Sequence, residues 1–167
     1  FTFILTSEQD ANCDIHATID GVRWQKPGSY QNKNGIVRIP LAYSSEVAKQ
    51  MVRILVPDEL APGRIAGHSQ NYVGYINLDI PAGQSLYHVP LALSGNTTIA
   101  TLFQNAPKVS TISILKTETG EWAEGTLGET WSNGAVELTQ GDIFKFTNAG
   151  DSFRVILTGT YAGQGAE

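Results

Sequence analysis

Apolar and polar residues alternate along most of the chain. The segments with a strand-like pattern are 1–6, 15–19, 36–41, 72–80, 86–93, 109–116, 143–147 and 153–161. Turn-forming pairs such as Asp20-Gly21 and Gln140-Gly141 separate them. A period of two between turn residues is typical of β-strands. The pattern predicts an all-β fold, an antiparallel β-sandwich or jelly roll, with one or two short helices.

Two segments are candidates for the helices. Residues 44–53 place Val47, Ala48 and Met51 on one helical face, but the same chain also fits a strand over 51–56. Thr97 or Thr98 is a candidate cap for a single helical turn that carries Ile99 and ends before Pro107. We expect one or two short helices at these places, and the strand over 51–56 stays open as an alternative.

The chain has 167 residues, a length typical of one domain. We therefore predict a single β-sandwich over 1–167, in which residues 1–14 form an N-terminal strand and a polar linker. Proline and glycine cluster within 57–70, which leaves an internal boundary open there.

Charge and hydropathy exclude several classes of partner. The net charge is −5, whereas a nucleic-acid-binding face must be basic. No apolar run reaches the 18 residues that a membrane-spanning helix needs. The chain begins at Phe1 rather than Met, as a processed product does. We expect a secreted, extracellular protein at a cell surface, without nucleic acid and without a membrane span.

Metal-ligating residue types occur, but their spacing does not favour a site. In a strand, Cys13 and His16 point to opposite faces. The series Asp10, Asn12, Asp14 begins like a calcium loop, but Ile15 and Gly21 stand where that loop needs a glycine and a glutamate. We expect no metal and no cofactor. The lone Cys13 is either a buried thiol or a bridge to another chain.

The segment Gly67-His-Ser-Gln-Asn71 is similar to a hydrolase nucleophile motif that centres on Ser69. That motif requires a small final residue and a following helix, whereas here Asn71 and a strand follow. We therefore expect a loop at this position and a protein that is not an enzyme.

Residues 72–160 carry a series of turn and core motifs. They are Tyr72-Val-Gly-Tyr-Ile76, Val89-Pro-Leu91, Gly120-Glu-Trp122 and Leu138-Thr-Gln-Gly-Asp-Ile-Phe144. In these motifs the segment resembles β-sandwich-like modules of secreted bacterial surface proteins, of the kind found in Verrucomicrobia and Planctomycetes. The resemblance implies an extracellular module without a catalytic role.

The N-terminal segment suggests self-assembly. Phe1, Phe3, Ile4 and Leu5 are too apolar to remain in water, since burial of each stabilises by roughly 1.5–3 kcal/mol. They form either the first strand of their own sandwich or a donor strand that completes a neighbour's sheet. Head-to-tail donation builds an open polymer. We expect a homo-oligomer or homopolymer, as in a filament, fimbria, pilus or surface layer, which assembles by strand donation or sheet-edge pairing.

An alternative is a carbohydrate-binding or adhesion module. Aromatic rings pack against the flat apolar faces of sugars, and Trp24, Trp122, Trp131 and Tyr75 are the candidate rings, with polysaccharide as the partner. In β-sandwiches, however, most aromatic side chains belong to the core.

Overall fold

The structure is a computed structural model that describes residues 2–6, 10–33, 36–40, 43–69 and 71–162. For residues 2–6, 36–37, 39–40 and 162 the description concerns the backbone. Strands account for 56% of the described residues and helix for 3%, which confirms the predicted all-β, sandwich-like fold with a short helix.

The elements are numbered in chain order. Their bounds are β1 Thr2–Thr6, β2 Ala11–Thr18, β3 Gln25–Asn32, β4 Ile36–Pro40, β5 Lys49–Pro57, β6 Ile65–His68, β7 Asn71–Ile80, β8 Gly83–His88, β9 Ala92–Leu93, α1 Ile99–Leu102, β10 Thr111–Lys116, β11 Glu121–Thr126, β12 Ile143–Asn148 and β13 Phe153–Ala162. The described residues form two compact units, one that reaches Gly74 and one that spans Tyr75–Tyr161.

The second unit contains the larger core. One of its sheets has the strand order β11-β10-β12-β8, all antiparallel. In the other, β7, β13 and β9 follow one another. Alternate residues of the strands point inward, as their sequence pattern predicts, and pack with α1. Twelve buried side chains form the cluster: Ile80, Val89, Ile99, Phe103, Ile112, Ile114, Trp131, Leu138, Phe144, Phe146, Val155 and Leu157.

The chain passes from one sheet to the other between β8 and β9. The sequence predicts one strand over 86–93, but the structure divides it at Val89-Pro-Leu91. The Val89 amide still donates to the Asp142 carbonyl, at 2.9 Å, as a continuation of the β12–β8 pairing. Pro90 has no amide to continue the ladder. Val89 and Leu91 are both buried, so the crossing segment is part of the core.

The first unit has a smaller core, and its strand β2 begins earlier than the sequence predicts. Strands β3, β2 and β5 are neighbours, and β6 also pairs with β5. Their buried hydrophobic residues are Cys13, Ile15, Val52 and Ile54. The polar linker predicted for residues 7–14 is wrong over 11–14, because β2 begins at Ala11. There Asn12 and Asp14 bond neighbouring side chains while Cys13 faces the core.

The helix candidate over residues 44–53 is wrong, and the alternative, a strand over 51–56, is confirmed. Strand β5 occupies Lys49–Pro57, and Val52 and Ile54 alternate inward against β2. Val52, Ile54 and Val56 are β-branched, which favours the strand. Gly74 in β7 runs so close to β5 that a Cβ atom would lie 2.0 Å from the Gln50 carbonyl oxygen. That approach requires glycine.

Strands β1 and β4 form a two-stranded antiparallel sheet of their own. Phe3, Ile4 and Leu5 pair through their backbones with Ile39, Arg38 and Val37 of the same chain. Phe1 lies outside the described residues. The donor-strand interpretation of this segment therefore stays a prediction.

Candidate functional site

The outer face of the β11-β10-β12-β8 sheet forms an ordered surface. Because the inward residues are buried, the register fixes which outward residues are neighbours across the four strands. They form three rows, each about 14 Å long from three strand spacings. The tryptophan row is Trp122, Leu115, Ile143 and His88; the charged row is Glu124, Ser113, Lys145 and Leu86; the threonine row is Thr126, Thr111, Thr147 and Gln84.

The tryptophan row is largely apolar. The Trp122 side chain is 59% exposed, and no ring contact or hydrogen bond holds it within the described part of the chain. Leu115 lies directly opposite it on β10, and Ile143 continues the row on β12. Both are partly exposed. An exposed indole beside two aliphatic side chains makes an apolar strip across three strands of this face.

The charged row lies beside this strip, two residues further along each strand. The Ser113 hydroxyl is 3.4 Å from a carboxylate oxygen of Glu124, a weak contact. Lys145 is exposed and forms no ion pair with any described residue. The row thus offers a hydrogen-bond acceptor at Glu124, a donor at Lys145, and a group of either kind at Ser113.

The two edge strands of this sheet differ. On β11 the Ser132 amide donates to the Thr126 carbonyl at 3.0 Å, and the Asn133 side chain donates to the Glu124 carbonyl at 2.5 Å. The loop after β11 therefore closes much of its outer edge. Strand β8 has no such cover in the described residues. Since Val89 bonds to β12, alternation directs the backbone groups of Gln84, Leu86 and His88 to the open side.

A buried ion pair closes one end of the second unit's core. Lys116 Nζ lies 2.5 Å from Asp142 Oδ2 and also donates to the Glu137 carbonyl at 3.0 Å. The Thr139 amide and hydroxyl donate to the same carboxylate oxygen, at 2.8 and 3.0 Å. With these partners the pair ties β10 to the turn before β12, which is a structural role.

The predicted ring candidates do not come together. Trp131 and Tyr75 are buried, so neither offers a ring face to a ligand. Trp24 lies under the Arg53 guanidinium, 4.1 Å from its ring centroid, and its ring meets Tyr72 edge-on. Among the four candidates, only Trp122 presents its side chain mainly to solvent.

In the N-terminal half, the candidate metal-ligating and nucleophilic side chains are buried or bonded to neighbouring residues. Burial raises the pKa of the Cys13 thiol and the neighbouring Asp14 adds to the effect, so the thiol stays protonated, unlike a metal ligand or nucleophile. Hydrogen bonds from Lys26 and Ser29 lower the pKa of Asp14. Lys26 Nζ lies 2.7 Å from Asp14, where it would repel a calcium ion. Ser69 accepts from the Ile54 amide, and a strand follows it, as expected. The loop expected over 67–71 is wrong at Gly67 and His68, which belong to β6, and at Asn71, which begins β7.

A cavity of about 250 Å³ lies at the turn between β2 and β3. The backbone amides of Arg23 and Val22, and then the Thr18 hydroxyl, donate to Asp20 and lower its pKa. The turn itself therefore engages this carboxylate. Within the described ranges, no three His, Cys, Asp or Glu side chains are grouped as a metal site requires.

No family model, curated protein or solved structure matches the chain. Among the described residues, no helix has the length and apolar character to cross a membrane. Sequence reasoning singled out Trp122 but missed its neighbours Leu115, Ile143 and Lys145. The alternation of 109–116 and 143–147 contained that signal, because the residues between the buried positions must point outward.

Proposed function

We propose that the protein is a non-catalytic structural subunit of an extracellular filament or surface layer, whose copies associate through sheet edges. The observation that carries this proposal is the open edge of β8. Leu86, at its centre, is 69% exposed. The strand contains no Lys, Asp, Glu or Pro. An edge strand without such residues is prone to pair with a strand of another molecule.

Two other edge strands, β11 and β3, support this interpretation by contrast. The β11 edge is closed by its own loop. Strand β3 carries Lys26 and Pro27, two residues that oppose strand addition. Of these three strands, β8 alone has neither a covering loop among the described residues nor a Lys, Asp, Glu or Pro residue. A second copy related by a two-fold axis would place the two Leu86 side chains opposite each other, which is a favourable cross-strand pair.

The N-terminal ribbon of β1 and β4 supplies a second means of contact. A two-stranded sheet is marginally stable alone, and each of these strands has one partner in the described residues. The apolar sequence of β1, with Phe3, Ile4 and Leu5, suits donation to a neighbour or pairing along its edge. Two different contacts on one molecule join copies into an open chain rather than a closed dimer. The resemblance of residues 72–160 to secreted surface modules supports the extracellular location.

The test compares wild-type protein with Leu86→Lys and with a matched control, Thr126→Lys, by sedimentation velocity and negative-stain microscopy. Thr126 lies on the closed β11 edge, so its variant adds the same charge without blocking an open strand. Wild type and the control should form dimers and longer chains as concentration rises, whereas Leu86→Lys should not pair through β8. Deletion of residues 1–6 should leave dimers but stop chain growth. A wild-type monomer at every concentration, or unchanged assembly of Leu86→Lys, would refute the proposal.

A further inference from the structure

We propose that the outer face of the β11-β10-β12-β8 sheet binds a neutral polysaccharide chain, whose sugar rings lie along the tryptophan row. This inference goes beyond the structural role proposed above and rests on different residues. It commits to a ligand with two properties: flat apolar patches and hydroxyl groups at their rims.

The apolar patches of the sugar rings would contact Trp122, Leu115 and Ile143. The register places them side by side across three strands, so their exposed surfaces form one strip rather than scattered patches. The 59% exposure of Trp122 leaves most of its side chain available for contact. An aromatic ring buries a large apolar area while its N–H remains a donor. Its indole N–H has no partner in the part of the chain described.

The hydroxyl groups of the sugar would contact the charged row. Glu124 accepts hydrogen bonds, Lys145 donates them, and Ser113 lies between them on the middle strand. Hydroxyl groups both donate and accept, so they satisfy all three side chains. One negative and one positive charge cancel within the row. The surface therefore favours a neutral polyhydroxyl chain over a polyanion or a polycation.

A second copy of the protein would fit this part of the face less well. A dry protein interface would remove water from Glu124 and Lys145, and each would need a partner of opposite charge in register to offset its desolvation. A polysaccharide leaves these groups hydrated or hydrogen-bonded to hydroxyls. The rows also end at β11, where the Ser132 and Asn133 contacts hinder further strand pairing.

The experiment measures binding of the whole chain to microcrystalline cellulose, chitin, soluble mannan and xylan, with polygalacturonate as the anionic probe. Trp122→Ala should weaken binding to the neutral probe by on the order of tenfold, since it removes the one aromatic ring of the apolar strip. Trp122→Phe should retain much of it. Tyr30→Ala, which truncates an exposed ring on β3, is the matched control and should bind like wild type.

Several outcomes would overturn the inference: no binding to any neutral probe, preference for polygalacturonate, or equal binding by wild type and Trp122→Ala. If the wild type binds no polysaccharide and Trp122→Ala loses self-association, this face is a protein interface instead. Deletion of residues 1–6, which lie outside this face, separates the two proposals. It should stop chain growth and keep polysaccharide binding, whereas Trp122→Ala should lose binding and keep assembly.

Discussion

We predict that replacing Lys116 costs more stability than replacing Asp142, its partner in the buried ion pair. The Asp142 side chain is 0% exposed and Lys116 is 23% exposed. Lys116→Met leaves a fully buried carboxylate with only the two Thr139 donors. Asp142→Asn leaves an ammonium group that keeps the Glu137 carbonyl at 3.0 Å and the Thr139 hydroxyl at 2.9 Å, with some access to water. The lysine variant should therefore lose more stability than the aspartate variant.

Removal of one partner from a buried ion pair destabilises by about 3–5 kcal/mol. We expect Lys116→Met to fall in that range. Asp142→Asn should reduce the free energy of unfolding by about 2 kcal/mol, the loss of a charge-assisted hydrogen bond. The double variant buries no charge at position 142, so it should cost less than the sum by on the order of 2 kcal/mol.

Urea unfolding followed by tryptophan fluorescence tests this order. Trp131 is buried in the same core, so a background with Trp24→Phe and Trp122→Phe makes it the reporter for the second unit. Lys108→Met is the matched control. This variant breaks a surface ion pair between Lys108 and Glu129, whose two side chains are 71% and 92% exposed. It should therefore change the free energy of unfolding little. Additive single effects, or a larger loss in Asp142→Asn than in Lys116→Met, would refute the reasoning.

Three further predictions concern other parts of the chain. Cys13 should resist a thiol reagent in the native protein and react after denaturation, and rapid native labelling would contradict its burial. Hydrogen bonding to Arg154 lowers the pKa of Asp79 from its ordinary 3.8, so this pair stabilises the fold above that pH and less as acid protonates the carboxyl. Asp79→Asn should thus weaken the acid dependence of the urea midpoint slightly, and an unchanged pH profile would count against the pair. Val109 has a φ of 61°, which is unfavourable for a β-branched residue. Val109→Asn should therefore raise the free energy of unfolding by about 1 kcal/mol. A lower stability of this variant in calorimetry would contradict the strain at Val109.

The sequence predicts the second unit better than the first because its strands alternate strongly between sharp turns. Strands β7, β12 and β13 begin and end within a residue or two of their predicted bounds. Strand β3 has little local tendency to form a strand, since Pro27 and Gly28 disfavour strands, and almost all of its residues are exposed. The structure forms it anyway through backbone pairing with β2 and contacts from Lys26 and Ser29 to Asp14. Local propensity contains none of these longer-range terms.

Whether a tryptophan is buried or exposed also depends on tertiary contacts. Trp131 packs over Gly125, where a Cβ atom would lie 3.4 Å from its ring. The inward positions of β11 are thus small, Ala123 and Gly125, and a ring from another segment fills the space. Trp122 occupies the alternate position and faces solvent. Two residues of the same type nine positions apart therefore have opposite environments, which composition does not reveal.

The passage of the chain from β8 to β9 has a mechanical consequence. An edge strand is usually the easiest to peel from a sheet, because its hydrogen bonds break one after another. Here, peeling that starts at the β9 end must also withdraw Val89 and Leu91 from between the layers. Tension applied through this segment is therefore shared by both sheets, as a subunit of the proposed filament would need.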